Sequence, residues 1–201
     1  HWLGVARNKE APPAVFRNCL SELGRLLIYE AARDWLPTVE GVVETPMGPA
    51  EATLVDPMRP VKVVPILRAG LVLLEDAERV LPTQQTFHLG FVRDEETLQA
   101  SMYLNKLPDA FDADDRVLLT DPMVATGGTL AAALDEVLAR GARLEHVRVV
   151  SVVCAPPALK ALGEKYKGLR IYTAMIDPEL DSRGFIVPGL GDAGDRTFGT
   201  L

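Results

Sequence analysis

Apolar runs alternate with helix-type segments along the chain from residue 61 onward. Near-continuous apolar stretches predict strands, and the strands expected are residues 61–67, 86–92, 116–120, 147–155 and 169–176. Apolar positions at helical spacing predict helices between them, over residues 69–80, 127–140 and 156–166. Because the strands are apolar on both sides, the pattern predicts an α/β fold with a mainly parallel sheet flanked by helices.

The two ends of the chain have a different character. Residues 12–35 carry apolar side chains at helical spacing, which predicts one long helix. Residues 37–60 combine short β-type segments with prolines and glycine, which predicts a hairpin-like arm outside the core. Residues 93–115 are charged and are expected to be irregular, and residues 177–201 are rich in Gly, Pro and Asp and are assigned to no regular element. We expect residues 1–201 to form a single domain.

Composition narrows the range of partners. The chain has 21 Lys and Arg against 28 Asp and Glu, a net charge of -7, which argues against nucleic acid as the main partner. Cys19 and Cys154 lie in apolar segments and are expected to be packed thiols, so we expect a reducing cytoplasmic location. No apolar run reaches the length of a membrane span. Since the chain begins at His1 instead of Met, we expect a few native residues to precede it.

A carboxylate and a glycine turn follow directly on the predicted strand 116–120. Asp121 ends the strand, and Thr126-Gly127-Gly128-Thr129 opens the next helix. Glycines allow close approach to a ligand, and the N–H groups of a helix start favour a phosphate. A carboxylate at Asp121 can accept hydrogen bonds from two ribose hydroxyls, so the segment suits a sugar phosphate.

Other interpretations of this loop remain open at this point. The spacing differs from the nucleoside-triphosphate loop and from the dinucleotide fingerprint. Thr126 could cap the helix and Asp121 could serve as a turn residue, without any ligand. Ligands of open parallel sheets bind beyond the carboxyl ends of the strands. We therefore expect the loops after Leu67, Val92, Thr120 and Ile176 to converge on one site.

The loop resembles the site of a known family. Its Asp-Pro-Met-x-Ala-Thr-Gly-Gly-Thr pattern resembles the loop with which type I phosphoribosyltransferases bind phosphoribosyl pyrophosphate (PRPP). Most of that family have a second acid where this chain has Pro122, and this departure resembles the uracil-specific branch. The resemblance implies a type I phosphoribosyltransferase fold in which Asp121 binds the ribose hydroxyls. It also implies that the ribose 5-phosphate is held by Asp121, Pro122, Met123, Val124, Ala125, Thr126, Gly127, Gly128 and Thr129.

Two arginines follow predicted strands at the same end of the sheet. Arg68, with Ala69 and Gly70, resembles the family's pyrophosphate loop, although a surface arginine before a helix is the simpler alternative. Residues 93–107 resemble the flexible loop that closes over PRPP, and Arg93 is the matching PRPP-contacting arginine. A solvated charge run is the alternative for the acids that follow it. A closing loop would exclude water and prevent hydrolysis of PRPP.

Residues 184–200 resemble the base-binding hood of the uracil-specific branch. A frayed tail is the alternative, but its apolar side chains would be costly to leave in water. The resemblance implies that Ile186, Gly191, Asp192 and Ala193 bind uracil, and that Asp192 also contacts PRPP. The family often has Tyr where this chain has Phe185, which leaves the role of Phe185 open.

The resemblance implies a glycosyltransferase of pyrimidine salvage that makes UMP and pyrophosphate from uracil and PRPP. Asp121, Arg93 and Asp192 are its expected catalytic residues. The expected cofactor is Mg²⁺, held mainly through PRPP with no direct protein ligand. The arm (residues 37–60) and the hood (residues 177–201) complete the fold, and the arm implies a homodimer or higher homo-oligomer. GTP activates some relatives and is a candidate activator, and no nucleic acid or membrane partner is expected.

Three rival functions remain open. An RNA-binding regulator of the same fold would need a basic face and would show salt-dependent binding. An enzyme for another base, such as a purine or orotate, would be revealed by a panel of bases. An inactive scaffold would turn over none of them.

Overall fold

The computed structural model describes residues 1–93 and 100–200, except for the side chains of Arg93 and Ala100. The α-helices are α1 (Trp2–Arg7), α2 (Pro13–Ala32), α3 (Gly128–Ala139), α4 (Pro156–Lys165) and α5 (Ala193–Phe198). The strands are β1 (Thr38–Thr45), β2 (Gly48–Val55), β3 (Val61–Leu67), β4 (Gln84–Thr86), β5 (Leu89–Arg93), β6 (Ala100–Asn105), β7 (Val117–Thr120), β8 (Met123–Val124), β9 (Val147–Cys154), β10 (Arg170–Ile176), β11 (Glu179–Leu180) and β12 (Ile186–Val187). Short 3₁₀ segments occur at Ala69–Leu74, Ala77–Arg79 and Leu144–His146.

The central sheet confirms the predicted α/β architecture. Its strand order is β10-β9-β7-β3-β5-β6, with β4 beside β3 and β8 beside β9. All of these pairs are parallel except β5 with β6. The carboxyl ends of β3, β7, β9 and β10 therefore lie along one edge, where the sequence analysis expects a site.

Two apolar layers cover the sheet. On one face, Phe16 and Leu20 of α2 pack with the 3₁₀ segment Ala69–Leu74 and with Ile186 and Leu190 near the C-terminus. On the other face, α3 and α4 pack around buried residues such as Leu130 and Leu162. Every residue of β9 is buried, as a central strand covered on both sides requires.

Several predicted elements differ from the structure. Residues 69–80 form 3₁₀ turns instead of one helix, and the first of these turns lies in close contact with α2, where a Cβ at Gly24 would lie 2.4 Å from the Leu73 carbonyl oxygen. The strand predicted at 86–92 is split into β4 and β5. Residues 100–105, expected to be irregular, form β6. The C-terminal stretch, assigned to no regular element, contains β11, β12 and α5.

The arm is an antiparallel hairpin that stands outside the core. Every residue of β1 is exposed, and β1 pairs along its full length with β2. Directly opposite residues share a face, and three such pairs are apolar: Val39 with Leu54, Gly41 with Ala52, and Val43 with Ala50. The other face carries Glu40, Val42, Glu44 and Glu51. One side of the hairpin is thus a continuous apolar surface.

The two cysteines are buried free thiols, as expected. Burial raises the pKa of both thiols, so neither is an activated nucleophile. Within residues 1–93 and 100–200, no helix is long and apolar enough to cross a membrane.

Candidate functional site

Two adjoining cavities lie beyond the carboxyl ends of β3 and β7. The first is lined by Asp121, Met123, Val124, Ala125, Thr126, Gly127, Gly128, Thr129 and Leu130. The second, of about 200 Å³, is lined by Ala69, Asp121, Pro122, Met123, Ala125, Gly184, Phe185, Ile186, Gly191, Asp192, Ala193 and Gly194. Asp121, Met123 and Ala125 belong to both cavities. The loop after β7 therefore forms a wall between two compartments of one site.

The position of Asp121 follows from the way β7 ends. The Asp121 N–H still donates to the Val150 carbonyl at 3.1 Å, but Pro122 has no N–H to continue the ladder. The Pro122 carbonyl instead accepts from the N–H groups of Val152 and Val153, both at 3.0 Å. The chain then returns to the sheet as β8. This interruption leaves the Asp121 carboxylate in the cavity rather than in the core.

The first cavity has the features of a phosphate site. Helix α3 begins after Gly127, whose φ of 85° is a left-handed conformation that glycine adopts without strain. The first N–H groups of a helix have no intrahelical partner, and here they belong to Gly128, Thr129 and Leu130, which line the cavity. The helix dipole adds partial positive charge at this end. An anion of phosphate size is therefore the natural occupant.

The charge state of Asp121 is unusual. The carboxyl is buried, and it accepts a weak hydrogen bond from the Met123 N–H at 3.4 Å. Burial raises the pKa of Asp121 from 3.8 to about 7, with a smaller opposing effect from the Met123 bond. A carboxyl that titrates near neutral pH inside a cavity is a functional candidate.

The loop after β3 is pressed against the end of β7. A Cβ at Gly70 would lie 2.3 Å from the Thr120 carbonyl oxygen, so only glycine fits there. The buried Thr120 hydroxyl donates to the Gly70 carbonyl at 3.0 Å. These contacts place Ala69 in the wall of the second cavity. The side chain of the preceding residue, Arg68, therefore begins beside that wall.

The C-terminal hood is an ordered part of the fold, so the frayed-tail alternative is wrong. Asp177 is buried, accepts from Arg7 of α1 at 2.8 Å and accepts from the Gly189 N–H at 2.9 Å. Arg196 of α5 donates to the carbonyls of Ala6, Leu190 and Asn8 at 2.7–2.8 Å. The hood is thereby fixed to the N-terminal end of the chain.

Two aspartates shape the parts of the hood that line the second cavity. Asp181 accepts from the N–H groups of Arg183 and Phe185 at 2.9 and 2.8 Å, which folds the turn before β12. Asp192 caps α5, since its carboxylate accepts from the Asp195 N–H at 2.9 Å. The cavity is therefore bounded by backbone that is held in place by hydrogen bonds.

The structure brings most of the predicted site residues together. The loop 121–129, Ala69 and the hood residues Ile186, Gly191, Asp192 and Ala193 all line the two cavities. The Arg93 side chain and the acids Asp94, Glu95 and Glu96 lie outside the described residues, as does the rest of the segment 94–99 of the predicted closing loop. Sequence reasoning missed the roles of Asp177, Asp181 and Asp195. For Asp195 the sequence did offer a signal, which is its spacing from Asp192. An acid three residues after a capping residue is typical of a helix start.

Solved structures define the fold. The fold matches an adenine phosphoribosyltransferase (APRTase) from Giardia lamblia, solved with 9-deazaadenine, at a TM-score of 0.54 and 18% identity over 80% of each chain. A protein of solved structure from Aquifex aeolicus matches far more closely, with a TM-score of 0.90 and 39% identity over 98% of this chain and 92% of that one. The fold is that of the type I phosphoribosyltransferases.

Sequence comparison narrows the class to one family. Residues 1–200 match the family model of uracil phosphoribosyltransferase. A uracil phosphoribosyltransferase from a Nostoc species is 59% identical over the whole of this chain and 93% of its own. The chloroplastic uracil phosphoribosyltransferase of Arabidopsis thaliana is 56% identical, and the match covers 68% of its length. The chain belongs to the uracil phosphoribosyltransferase family.

Proposed function

We propose that the protein transfers the phosphoribosyl group of PRPP to uracil, forming UMP and releasing pyrophosphate. The observation that carries this proposal is the pair of adjoining cavities that share Asp121. One has the helix start that suits a 5-phosphate, and the other has a wall of ordered backbone that suits a flat base. A ribose in contact with Asp121 would bridge the two. The family membership supports the same reaction.

The proposed roles of the residues follow from their positions. The N–H groups at the start of α3 bind the 5-phosphate, and the Asp121 carboxylate accepts from the ribose hydroxyls. Arg68, and Arg93 by resemblance, bind the pyrophosphate and stabilise its charge as it leaves. Holding both substrates in one site converts their encounter into a local step, which supplies much of the rate enhancement.

Recognition of the base is assigned to the hood. Uracil presents an N–H between two carbonyl oxygens, and backbone groups near Ile186 and at Gly191 to Ala193 can match that pattern. Cytosine reverses part of this pattern of donors and acceptors. It would leave buried polar groups without partners, which is costly. Asp192 stands at the junction of the base and PRPP regions and is proposed to serve both. Phe185 lines the same wall and contributes an apolar surface.

We propose Mg²⁺ as the cofactor. No group of three or more His, Cys, Asp or Glu side chains that could hold a metal ion occurs among the described residues. The carboxylates of Asp121 and Asp192 line one cavity, which suits an ion that is carried largely by the oxygens of PRPP. When bound, Mg²⁺ neutralises charge on the pyrophosphate.

Buried free thiols support the proposal that the protein acts in the cytoplasm.

Release of pyrophosphate from PRPP with Mg²⁺, measured base by base, tests the proposed function. Turnover with uracil and not with cytosine, orotate, adenine or hypoxanthine is the expected result. Turnover with a different base would keep the PRPP site and contradict the assignment of the hood. A full-length protein that is folded and turns over no base would favour the scaffold or the RNA-binding regulator.

The raised pKa of Asp121 predicts a pH dependence. The carboxyl is protonated below about pH 7, so it loses its charge-assisted bonds to the ribose hydroxyls. We expect kcat/KM for PRPP to fall about tenfold per pH unit below 7 and to level off above it. Ionisation of PRPP itself affects every variant alike, so Asp121→Asn is the control. Its profile should lack the fall in kcat/KM below pH 7 that ionisation of Asp121 causes. A flat wild-type profile from pH 5.5 to 8 would contradict the assignment.

We propose further that the arm joins two copies of the chain. A two-stranded hairpin is marginal by itself, and its apolar face, from Val39 to Leu54, has no cover within the described residues of one chain. A second copy supplies the same apolar surface under two-fold symmetry. GTP is a candidate activator because it activates some relatives, and adding GTP at subsaturating PRPP tests this.

Charge on the arm's apolar face should dissociate the assembly. We expect Val43→Asp to shift the protein to monomer at micromolar concentration, because the carboxylate would be buried without a partner. Val42→Lys is the control, since Val42 is 68% exposed on the opposite face and a lysine there would lie opposite Glu51 without like-charge repulsion. Sedimentation velocity measures both. A wild-type monomer, or equal dissociation by both variants, would contradict the proposed interface.

A further inference from the structure

Arg68 is held by residues of the hood. Its Nη2 donates to Asp195 Oδ1 at 2.8 Å, and its Nη1 lies 3.4 Å from Thr200 Oγ1. The Thr200 hydroxyl in turn donates to the same Asp195 oxygen at 2.6 Å. The guanidinium carbon also lies 5.8 Å from the centre of the Phe198 ring. Three residues at the C-terminal end of the chain thus surround a side chain that starts at the end of β3.

The same aspartate is linked to the base-side cavity. The Asp195 N–H donates to the Asp192 carboxylate, which lines that cavity. Gly194 lies between the two groups, and a Cβ there would be 3.2 Å from Asp192 Oδ1 and 3.6 Å from Arg68 Nη2. A continuous chain of contacts therefore runs from Arg68 through Asp195 to Asp192.

We infer that Asp195 is a positioning residue that holds the Arg68 guanidinium toward the pyrophosphate of PRPP and ties it to the hood. This inference rests on the proposed function. A long arginine side chain that is half exposed samples many rotamers, and a fixed carboxylate reduces that freedom. The bonds to Asp195 and Thr200 use two of the five N–H donors, which leaves others for phosphate oxygens.

The opposite role, in which Asp195 competes with pyrophosphate for Arg68, is disfavoured by the strength of the interaction. An ion pair whose arginine is half exposed is weak, and a multiply charged pyrophosphate with Mg²⁺ would displace a single carboxylate from any N–H it needs. Thr200 and Arg68 lower the pKa of Asp195, so the carboxylate is charged at neutral pH. A weak charged contact orients the guanidinium without blocking it.

Binding of magnesium pyrophosphate, measured by calorimetry, tests the inference without relying on turnover. We expect Asp195→Ala to raise the Kd about threefold, the size of effect that a half-exposed ion pair supports, and Asp195→Asn to raise it less, because Asn keeps the shape and an acceptor oxygen. Thr200→Val, which leaves α5 untouched, should give a smaller loss in the same direction. Glu75→Gln is the matched control, since Glu75 forms a comparable ion pair with Arg17 away from the site and should leave the Kd unchanged.

A double-mutant cycle separates positioning from a general structural effect. In an Arg68→Ala background, Asp195→Ala should cause no further loss, since the exchange keeps the backbone N–H that bonds Asp192 and removes the carboxylate that holds Arg68. In turnover, Asp195→Ala should raise the KM for PRPP and leave the KM for uracil within about twofold. Unchanged or tighter pyrophosphate binding by Asp195→Ala would overturn the inference, and so would an equal loss in both backgrounds or no binding by the native chain.

The two proposals fail separately. If the native chain turns over uracil and PRPP but the Asp195 variants bind pyrophosphate normally, only the positioning role is lost. If the Asp195 effect on pyrophosphate is present but no base is turned over, the proposed function is lost and the contact with Arg68 stands.

Discussion

Replacement of Asp121 by Asn is expected to lower kcat/KM for PRPP by about 100- to 1000-fold. The amide keeps the size of the side chain but cannot accept two charge-assisted bonds from the ribose hydroxyls, and one of its ends becomes a donor. The measurement is initial-rate kinetics with uracil and PRPP at pH 8, where the native carboxyl is ionised. A loss in kcat/KM of less than about threefold would contradict the proposal that Asp121 binds the ribose hydroxyls.

The same substitution should make the ligand-free protein more stable at pH 8. The pKa of Asp121 is raised in the folded state, so its contribution to stability is present below about pH 4 and is lost as the pH rises through 7. At pH 8 the folded protein holds a poorly solvated carboxylate, and Asn removes that cost. We expect the free energy of unfolding to rise by about 1 to 3 kcal/mol, after allowing for partial solvent access.

Chemical denaturation at pH 8 and pH 4, without PRPP, measures this change. The increase in the free energy of unfolding of Asp121→Asn over the native chain should be present at pH 8 and small at pH 4. Inactivity together with increased stability could not be attributed to misfolding, so the stability measurement is also the control for the kinetics. Lower stability of Asp121→Asn at pH 8 would contradict the origin assigned to the pKa shift.

Replacement of Gly189 by Ala is expected to damage uracil use selectively. Gly189 has a φ of 53°, and a Cβ there would lie 2.1 Å from the Ile186 carbonyl oxygen. The hood turn must therefore shift, and a displacement of about 1 Å at a base-binding wall can cost about 100-fold in kcat/KM. Magnesium pyrophosphate should bind with a Kd within about twofold of the native value, because the start of α3 lies on another segment and the α5 region that holds Arg68 is anchored separately, through Arg196, to Ala6 and Asn8.

Gly168→Ala is the matched control for this substitution. Gly168 also has a positive φ, of 93°, but a Cβ there would have no neighbour within 4 Å. It therefore carries the backbone strain of the exchange without a clash. Equal loss of pyrophosphate and uracil binding by Gly189→Ala, or a comparable effect of Gly168→Ala, would show that the hood is not a separate base-binding element.

The parts of the fold that were predictable carry local signals. The strand at 61–67 has the predicted limits, since its composition is apolar except for Lys62. The turn at Gly127 was marked by two glycines between two threonines, and it forms the start of α3 as expected. The apolar composition of β3 and the left-handed φ of Gly127 are local features, so the sequence displays them directly.

The parts that were not predictable depend on distant contacts. Helix α5 is short and contains glycine, and it is held by Arg196 through bonds to Ala6 and Asn8, near the other end of the chain. The segment 69–80 was expected to be helical from its apolar spacing, but it forms 3₁₀ turns that pack closely against α2 at Gly24. Such tertiary constraints override local preference. The link from Arg68 to Asp195, 127 residues apart, leaves no trace in local sequence.

The balance of products from uracil and PRPP tests the central claim most directly. The measurement is chromatographic quantitation of UMP, ribose 5-phosphate and pyrophosphate after incubation of the protein with uracil, PRPP and Mg²⁺. A site that holds both substrates and excludes water predicts one UMP for each pyrophosphate, with ribose 5-phosphate at background. Pyrophosphate released with ribose 5-phosphate in place of UMP would show that the two cavities do not act as one transfer site.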